Sequence, residues 1–236
     1  MSVSLKGKWA LVTGSSRGIG LRVARGLSAL GCRVILHARI QEATDGLAQE
    51  LCDAGGEVAQ VAAELSDPGQ VEALVQEVKN ITGNSLGILY NNAAIMTPWC
   101  ELYTVRAEDY ATSFQVNCIA PAKLADAFIP KMIEDGFGRV VMVTSGIENE
   151  PQLMAYSCSK AALDRYVRDM VPSLEGTGVL MNIMDPGWLR TDLGGPNAPN
   201  DPDSIMPGAL VPVVIQDSEG SGRRYYAQEL SDYALE

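Results

Sequence analysis

Two kinds of hydrophobic pattern alternate along the chain from its amino end to about residue 190. Short runs rich in β-branched residues predict buried strands, and longer stretches with an apolar residue every three or four positions predict helices. The strands are predicted at 9–13, 33–37, 58–62, 87–91, 139–144 and 180–184, and the helices at 19–30, 42–54, 71–81, 107–133 and 156–174. This alternation is typical of a parallel sheet covered by helices on both faces. We therefore predict one doubly wound α/β domain spanning residues 1–236.

The carboxyl-terminal part of the chain is less regular. Residues 194–208 are rich in proline, glycine, asparagine and aspartate, which predicts a mobile surface loop. Beyond Pro207 we predict a helix that Pro212 interrupts, followed by a last strand at 223–226.

Composition and charge exclude several classes of protein. The 236 residues are 47% hydrophobic and 20% charged, an ordinary composition for a globular domain. The formal net charge of −11 repels nucleic-acid phosphates and anionic bilayers. No uncharged apolar run approaches the roughly 18 residues that a membrane-spanning helix needs. We therefore expect a cytoplasmic protein with neither a nucleic-acid nor a membrane partner.

Cysteine and histidine usage argues against three further kinds of site. The five cysteines are odd in number and contain no C-x-x-C pair, which fits neither a disulfide framework nor a zinc site. We therefore predict no metal centre. A Ser/His/Asp hydrolase would have to use His37, the one histidine, which lies at the end of a predicted strand.

A glycine-rich segment follows the first predicted strand and opens the first predicted helix. At residues 13–20 it reads Thr-Gly-Ser-Ser-Arg-Gly-Ile-Gly. Gly14 would permit a sharp turn, Gly18 would let a phosphate approach the backbone, and Gly20 would allow the helix to pack tightly. A plain strand-to-helix turn would show similar glycines, but the strand before and the helix after favour a dinucleotide site.

Tyr156 and Lys160 are four positions apart on a predicted helix, so the phenol and the ammonium share one face. A cation so placed can stabilise the phenolate and lower the pKa of the tyrosine. Ser145 follows the fifth predicted strand, at the sheet edge where ligands bind. Asn117 is a polar residue within the apolar helix 107–133. Taken alone, the pair also suits a solvated helix face, and Asn117 suits a helix kink or a buried amide.

These motifs occur together and in a fixed order. The chain carries Thr-Gly-x-x-x-Gly-x-Gly at 13–20, Asn-Asn-Ala-Ala at 91–94, Asn117, Ser145, Tyr156-x-x-x-Lys160 and Pro186-Gly187. Over about residues 5–193 it therefore resembles the short-chain dehydrogenases/reductases. The resemblance implies a Rossmann-type fold and a nicotinamide-dependent oxidoreductase that interconverts a ketone or aldehyde and an alcohol. It also implies a catalytic tetrad of Asn117, Ser145, Tyr156 and Lys160.

The resemblance implies a role for each member of the tetrad. Tyr156 would exchange a proton with the substrate oxygen, which Ser145 would hold by a hydrogen bond. Lys160 would contact the nicotinamide ribose and lower the pKa of Tyr156, and Asn117 would position a water that links Lys160 to solvent. The implied cofactor contacts are Gly14, Ser16, Arg17, Gly18, Ile19, Gly20, Arg39, Leu65, Asn92, Tyr156, Lys160, Pro186, Gly187, Leu189 and Thr191.

The end of the second predicted strand bears on the choice of cofactor. NAD sites generally place an acid there, and this acid accepts hydrogen bonds from the ribose 2′-OH. Ala38 takes the place of that acid, and Arg17 and Arg39 are placed to flank a 2′-phosphate. We therefore expect NADP(H) rather than NAD(H), with two unrelated surface arginines as the alternative.

Besides small changes at Glu64 and Ala94, the chain departs from the family pattern in two places. The segment between Ser145 and Tyr156 is shorter than is common, and the carboxyl end looks more like that of carbonyl reductases than of many tetrameric relatives. The family default is a homo-oligomer, a tetramer or a dimer, formed through helices 107–133 and 156–174. Residues 192–208 would form a lid over the small-molecule substrate.

Two other functions stay open. A 3-oxoacyl-carrier-protein reductase would dock its acidic carrier through basic residues, but the helix ends at 134–137 and 175–177 offer acids and no bases. A non-catalytic nicotinamide sensor could share the fold, although it would not need Ser145, Tyr156 and Lys160 together.

Overall fold

The computed structural model describes residues 2–235, in which seven parallel strands form one sheet. The strands are β1 Trp9–Val12, β2 Arg33–Ala38, β3 Val58–Ala62, β4 Ile88–Asn91, β5 Gly138–Val143, β6 Val179–Asp185 and β7 Arg224–Tyr226. They lie in the order β3-β2-β1-β4-β5-β6-β7, and every neighbouring pair is parallel. The predicted doubly wound sheet is confirmed, and β7 is the last strand predicted at 223–226.

Helices cover both faces of this sheet. They are α1 Gly18–Ala29, α2 Asp45–Asp53, α3 Pro68–Thr82, α4 Ala107–Phe114, α5 Ala120–Glu134, α6 Met154–Leu174 and α7 Val211–Val214. Because side chains alternate across each strand, Leu11 of β1 packs with α3, α5 and α6, whereas Val12 packs with α1 and α2. Burial of both faces explains why the central strand β1 is apolar throughout. Within residues 2–235, no helix has both the length and the apolarity to cross a bilayer.

The strand order reverses at β1, which pairs with β2 on one side and with β4 on the other. At such a point the connections that follow neighbouring strands diverge and leave a crevice at the carboxyl edge of the sheet. The glycine-rich loop follows β1, and the loop that begins at Asn92 follows β4. The predicted dinucleotide loop therefore opens onto this crevice.

The predicted helix 107–133 is interrupted by one π turn, Gln115–Ile119, between α4 and α5. The N–H of Ala120 donates to the carbonyl of Gln115, five residues back. Pro121 has no N–H, so the regular α-helical pattern of hydrogen bonds is broken at this point. π turns are frequent at functional sites, and this one contains Asn117.

The predicted mobile loop at 194–208 is more regular than its composition indicates. It contains a 3₁₀ turn, Pro202–Ile205, in which the Asp201 side chain accepts from the N–H of Asp203. Ile205 is fully buried in the core that contains α1. Pro212 lies in the first turn of α7 instead of interrupting a longer helix, because that position needs no N–H donor.

Candidate active site

The glycine-rich loop presents its backbone N–H groups at the start of α1. Gly14 and Gly18 have φ of 65° and 58°, in the left-handed region that favours glycine. Among residues 2–235, no side chain caps the N-terminus of α1, and a Cβ at Gly18 would meet only Thr191, at 3.6 Å. A ligand can therefore approach the backbone closely, and the loop fits the pyrophosphate of a dinucleotide.

The loop after β4 holds the glycine-rich loop in place. The Thr13 hydroxyl accepts from the N–H groups of Asn92 and Ala93, at 2.9 and 3.0 Å. Asn92 Nδ2 donates in return to the carbonyls of Thr13 and Gly14. The contact of Asn92 with the cofactor stays a prediction, and its observed role is to fix the loop that would bind the phosphates.

His37 supports the same loop from β2, a role that the sequence analysis does not predict. Its Nδ1 accepts from the N–H of Gly14 at 3.1 Å, and its Nε2 donates to the carbonyl of Ala63 at 3.1 Å. Burial penalises the charged imidazole and lowers the pKa of His37 to about 4. The ring is therefore neutral near pH 7. The one sequence signal for this supporting role is the position of His37 at the end of the second predicted strand, beside the first ligand-binding turn.

We expect Gly20→Ala to damage the dinucleotide loop. A Cβ at Gly20 would overlap the carbonyl oxygen of Gly14 and lie 2.6 Å from Asn92 Nδ2. Loop and helix would have to separate, at a cost of about 1–3 kcal/mol in the free energy of unfolding. The matched control is Gly46→Ala in α2, where a Cβ meets nothing within 4 Å among the described residues. Denaturant unfolding measures both variants, and equal stabilities would contradict the packing argument.

Tyr156 and Lys160 lie on the first turns of α6, and both are buried. The Lys160 Nζ is 5.9 Å from the centre of the Tyr156 ring and donates to the carbonyl of Val143, the last residue of β5, at 2.8 Å. The Tyr156 hydroxyl is hydrogen-bonded to the side chain of Ser145. The structure thus brings Ser145, Tyr156 and Lys160 together at the carboxyl end of β5.

Burial dominates the proton affinities of this pair. It raises the pKa of Tyr156 to about 12, against the effect of the Ser145 hydrogen bond, and the Asp185 carboxylate adds to the rise. Burial also lowers the pKa of Lys160 to about 8, while Asp164 opposes this change. Burial therefore sets the direction of the Tyr156 pKa in this structure, and its lowering by Lys160 stays a prediction.

Asn117 joins this group through a serine of α6. Its Nδ2 donates to Ser159 Oγ at 3.0 Å and to the carbonyl of Ile95, and its Oδ1 accepts from the N–H of Ile95 at 2.9 Å. The fully buried amide therefore fixes the loop after β4 against the helix that carries Tyr156 and Lys160. The role of Asn117 in positioning a water stays a prediction.

The two predicted phosphate-binding arginines are exposed. Arg39 directly follows Ala38, the last residue of β2, and makes no hydrogen bond or ion pair with any residue from 2 to 235. Arg17 pairs with Asp192 at 3.1 Å, and their side chains are 67% and 71% exposed. Exposed ion pairs contribute about 0–1 kcal/mol, so a phosphate can compete for Arg17.

The remaining predicted cofactor contacts lie in loops and first helical turns at the same edge of the sheet: Ser16, Ile19, Leu65, Pro186, Gly187, Leu189 and Thr191. Gly187 has φ of 70°, and its N–H donates to Asp185 Oδ1 at 3.0 Å, which closes the turn after β6. The Thr191 hydroxyl accepts from the N–H of Gly194 at 3.1 Å. Their contacts with a cofactor stay predictions.

A family model described as short chain dehydrogenase matches residues 8–201. The chain belongs to the short-chain dehydrogenase family. The match includes the glycine-rich loop and all four residues of the tetrad, as the motifs indicate. Strand β7 of this short-chain dehydrogenase lies beyond the matched residues.

This short-chain dehydrogenase has relatives that match most of its length. A short chain dehydrogenase of Pseudocercospora fijiensis is 31% identical over 206 residues, which cover 82% of this chain and 63% of that protein. A chloroplastic NADPH-dependent aldehyde reductase-like protein of Arabidopsis thaliana is 30% identical over 202 residues, covering 80% of this chain and 75% of that protein. Among solved structures, a 3-oxoacyl (acyl-carrier-protein) reductase from Agrobacterium tumefaciens C58 with NADP bound has a TM-score of 0.87 and 27% identity, covering 94% of this chain and 93% of that chain.

Proposed function

We propose that this short-chain dehydrogenase uses NADP(H) to interconvert a ketone or aldehyde and an alcohol, with Tyr156 as general acid and base. The observation that carries the proposal is the group formed by half-buried Ser145 and buried Tyr156 and Lys160 at the carboxyl end of β5. A non-catalytic sensor would not need these three side chains together. The NADP bound to the bacterial neighbour and the name of the plant relative support the cofactor. The variant that tests the assignment is Tyr156→Phe.

The side chains of the site divide the proton chemistry between them. The nicotinamide supplies or accepts the hydride when the cofactor is bound. Ser145 holds the substrate oxygen by a hydrogen bond, and Tyr156 gives that oxygen its proton in the reductive direction and takes it back in the oxidative direction. Lys160, with its Nζ 5.9 Å from the phenol ring, stabilises the phenolate that proton transfer leaves.

Arg39→Ala is expected to weaken NADPH binding about tenfold and to leave NADH binding unchanged. Arg39 has no partner within residues 2–235, so its guanidinium can donate a charge-assisted hydrogen bond to the 2′-phosphate, which contributes about 1.5 kcal/mol. Fluorescence titration of both cofactors measures the effect. The control is Arg165→Ala, which removes the same charge from an exposed pair with Asp169 on α6. Unchanged NADPH affinity in Arg39→Ala would refute the 2′-phosphate contact.

A second candidate function is reduction of a 3-oxoacyl group on a carrier protein, the activity named for the bacterial neighbour. It ranks second because the end of α5 presents Glu134 and Asp135, which engage Lys131 in ion pairs of 3.2 and 2.8 Å. The formal net charge of −11 also repels an acidic carrier. Faster reduction of a 3-oxoacyl carrier thioester than of a free ketone would favour this candidate.

We also propose that residues 192–208 close over the substrate. Trp188, in the turn after β6, makes two hydrogen bonds with the segment. Its Nε1 donates to the carbonyl of Gly194 at 2.7 Å, and its own carbonyl accepts from Asn200 Nδ2 at 3.1 Å.

Three further properties stay predictions: a single domain over 1–236, a cytoplasmic location, and assembly as a dimer or tetramer. The assembly would form through the helices at 107–133 and 156–174. Ile119 and Ile133, 45% and 37% exposed on the first of these helices, support subunit contacts there.

A further inference from the structure

A charged cluster held by β7 adjoins the catalytic pair. Arg224 of β7 contacts acids from two other elements, because its Nη1 donates to Asp185 Oδ2 at 3.0 Å and its Nη2 pairs with Asp164. Asp185 ends β6, and Asp164 lies on α6, one turn after Lys160. The side chains of Asp164, Asp185 and Arg224 are only 17%, 5% and 20% exposed, so solvent screens their charges weakly.

The cluster also contacts the residues on both sides of Ser145. Arg224 Nη1 donates to the hydroxyl of Thr144 at 3.3 Å. A Cβ at Gly146 would lie 3.1 Å from Asp185 Oδ2, so the carboxylate packs closely against the residue after Ser145. The other oxygen of Asp185 closes the turn after β6. The connections that follow β5 and β6 therefore meet at the buried ion pair of Arg224 and Asp185.

The same cluster affects the pKa of Lys160 through the charge of Asp164. The ionisable groups that affect the Lys160 ammonium are Asp164 on its own helix and the thiol of Cys118 in the π turn. Burial works against the ammonium, and Asp164 favours it. The guanidinium of Arg224 neutralises part of the effect of Asp164, so removal of Arg224 would strengthen the pull of the carboxylate on the ammonium.

The cluster affects the pKa of Tyr156 through Asp185, the last residue of β6. The groups that affect its phenol are Ser145, whose hydrogen bond favours the phenolate, and Asp185, whose charge opposes it. Lys160 lies on the next turn of the same helix. Arg224 offsets the charge of Asp185, and without Arg224 that carboxylate would oppose ionisation of the phenol more strongly.

We propose that Arg224 is a positioning residue of the active site, which holds Asp164 and Asp185 together and thereby fixes both the charge beside Tyr156 and the backbone at Ser145. The proposal rests on the proposed function, because it concerns the same proton-transfer groups. β7 lies outside the residues matched by the family model, so this contribution comes from the carboxyl-terminal segment of this chain.

The test measures the protonation of Lys160 and needs no substrate. In protein labelled with ¹³C at lysine Cε, six lysine signals are expected, and Lys160→Met identifies the one that belongs to Lys160. We expect Arg224→Met to raise the pKa of Lys160 by roughly one pH unit and Asp164→Asn to lower it by roughly as much. Arg224→Lys, which keeps the charge, is expected to leave the pKa close to that of the unaltered protein.

Arg223→Met is the matched control. Arg223 is the neighbour of Arg224 but pairs with Glu219 at the surface, where its side chain is 53% exposed, so its removal should not change the titration. Shifts in the same direction for Arg224→Met and Asp164→Asn, or no shift in either, would overturn the proposal. If Arg224→Met does not fold, Arg224→Gln, which removes the charge but keeps hydrogen-bond donors for the carboxylates, replaces it and is judged with Asp164→Asn by the same criterion. Tyr156→Phe with ordinary turnover would refute the proposed function without altering this titration.

Discussion

Tyr156→Phe is expected to lower kcat by roughly 10²- to 10⁴-fold. A positioned general acid or base contributes about this factor. The substitution keeps the buried ring and removes only the hydroxyl that is hydrogen-bonded to Ser145. The measurement is the rate of NADPH oxidation with a ketone or aldehyde that the unaltered protein reduces.

Tyr166→Phe controls for the loss of a hydroxyl from the same helix. Tyr166 is also on α6, and its hydroxyl donates to Asp126 Oδ1 on α5, at 2.9 Å. We expect this variant to keep full turnover. Ordinary turnover in Tyr156→Phe would contradict the proton-transfer role, and an equal loss in both variants would indicate damage to α6 instead of lost chemistry.

Protonation of His37 is expected to remove about 3 kcal/mol of stability between pH 6.5 and pH 4. The pKa of His37 is about 4 in the folded protein, whereas an imidazole in an unfolded chain has a pKa of about 6.5. The unfolded chain therefore binds the proton first as the pH falls. This contribution to stability is complete above pH 6.5, decreases through the window and levels off below pH 4. The main physical cause is burial, which penalises the charged imidazole, and a protonated Nδ1 also can no longer accept from the N–H of Gly14.

The titration of His37 can be measured directly, because it is the one histidine of the chain. A single imidazole signal in the proton NMR spectrum of untagged protein should titrate with a midpoint near pH 4. A midpoint near 6.5 would show that the ring is not buried as described. His37→Gln retains an acceptor for Gly14 and a donor for Ala63 but does not titrate. Its unfolding free energy should therefore lack this part of the pH dependence.

The sheet and the catalytic group could be predicted because their signals are local. Each strand is a short apolar run, and burial on both faces makes that run continuous in sequence. The spacing of Tyr156 and Lys160 alone predicts that they share one helical face. The position of Ser145 after a strand predicts that it lies at the carboxyl edge of the sheet. Arg39 is likewise predicted to be available because it directly follows β2, and it makes no hydrogen bond or ion pair with any described residue.

The sequence does not predict contacts between distant segments. Arg139 in β5 is fully buried, and its guanidinium donates to the carbonyl of Ile215 at 3.1 Å and pairs with Asp217 at 2.6 Å. No residue near Arg139 in the sequence predicts those partners. The cluster around Arg224 and the contact of His37 with Gly14 also join residues that are far apart in the sequence, so the sequence does not predict them. The π turn differs, since Pro121 is a local signal that interrupts an otherwise regular helical period.

Titration of the purified protein with NADPH and then with NADH, followed by cofactor fluorescence, tests the cofactor and the site together without a substrate. We predict NADPH to bind at least about tenfold more tightly than NADH, a difference of about 1.4 kcal/mol. Tighter binding of NADH would contradict the assignment of Arg17 and Arg39 to the 2′-phosphate. Binding of neither cofactor would contradict the proposed oxidoreductase itself.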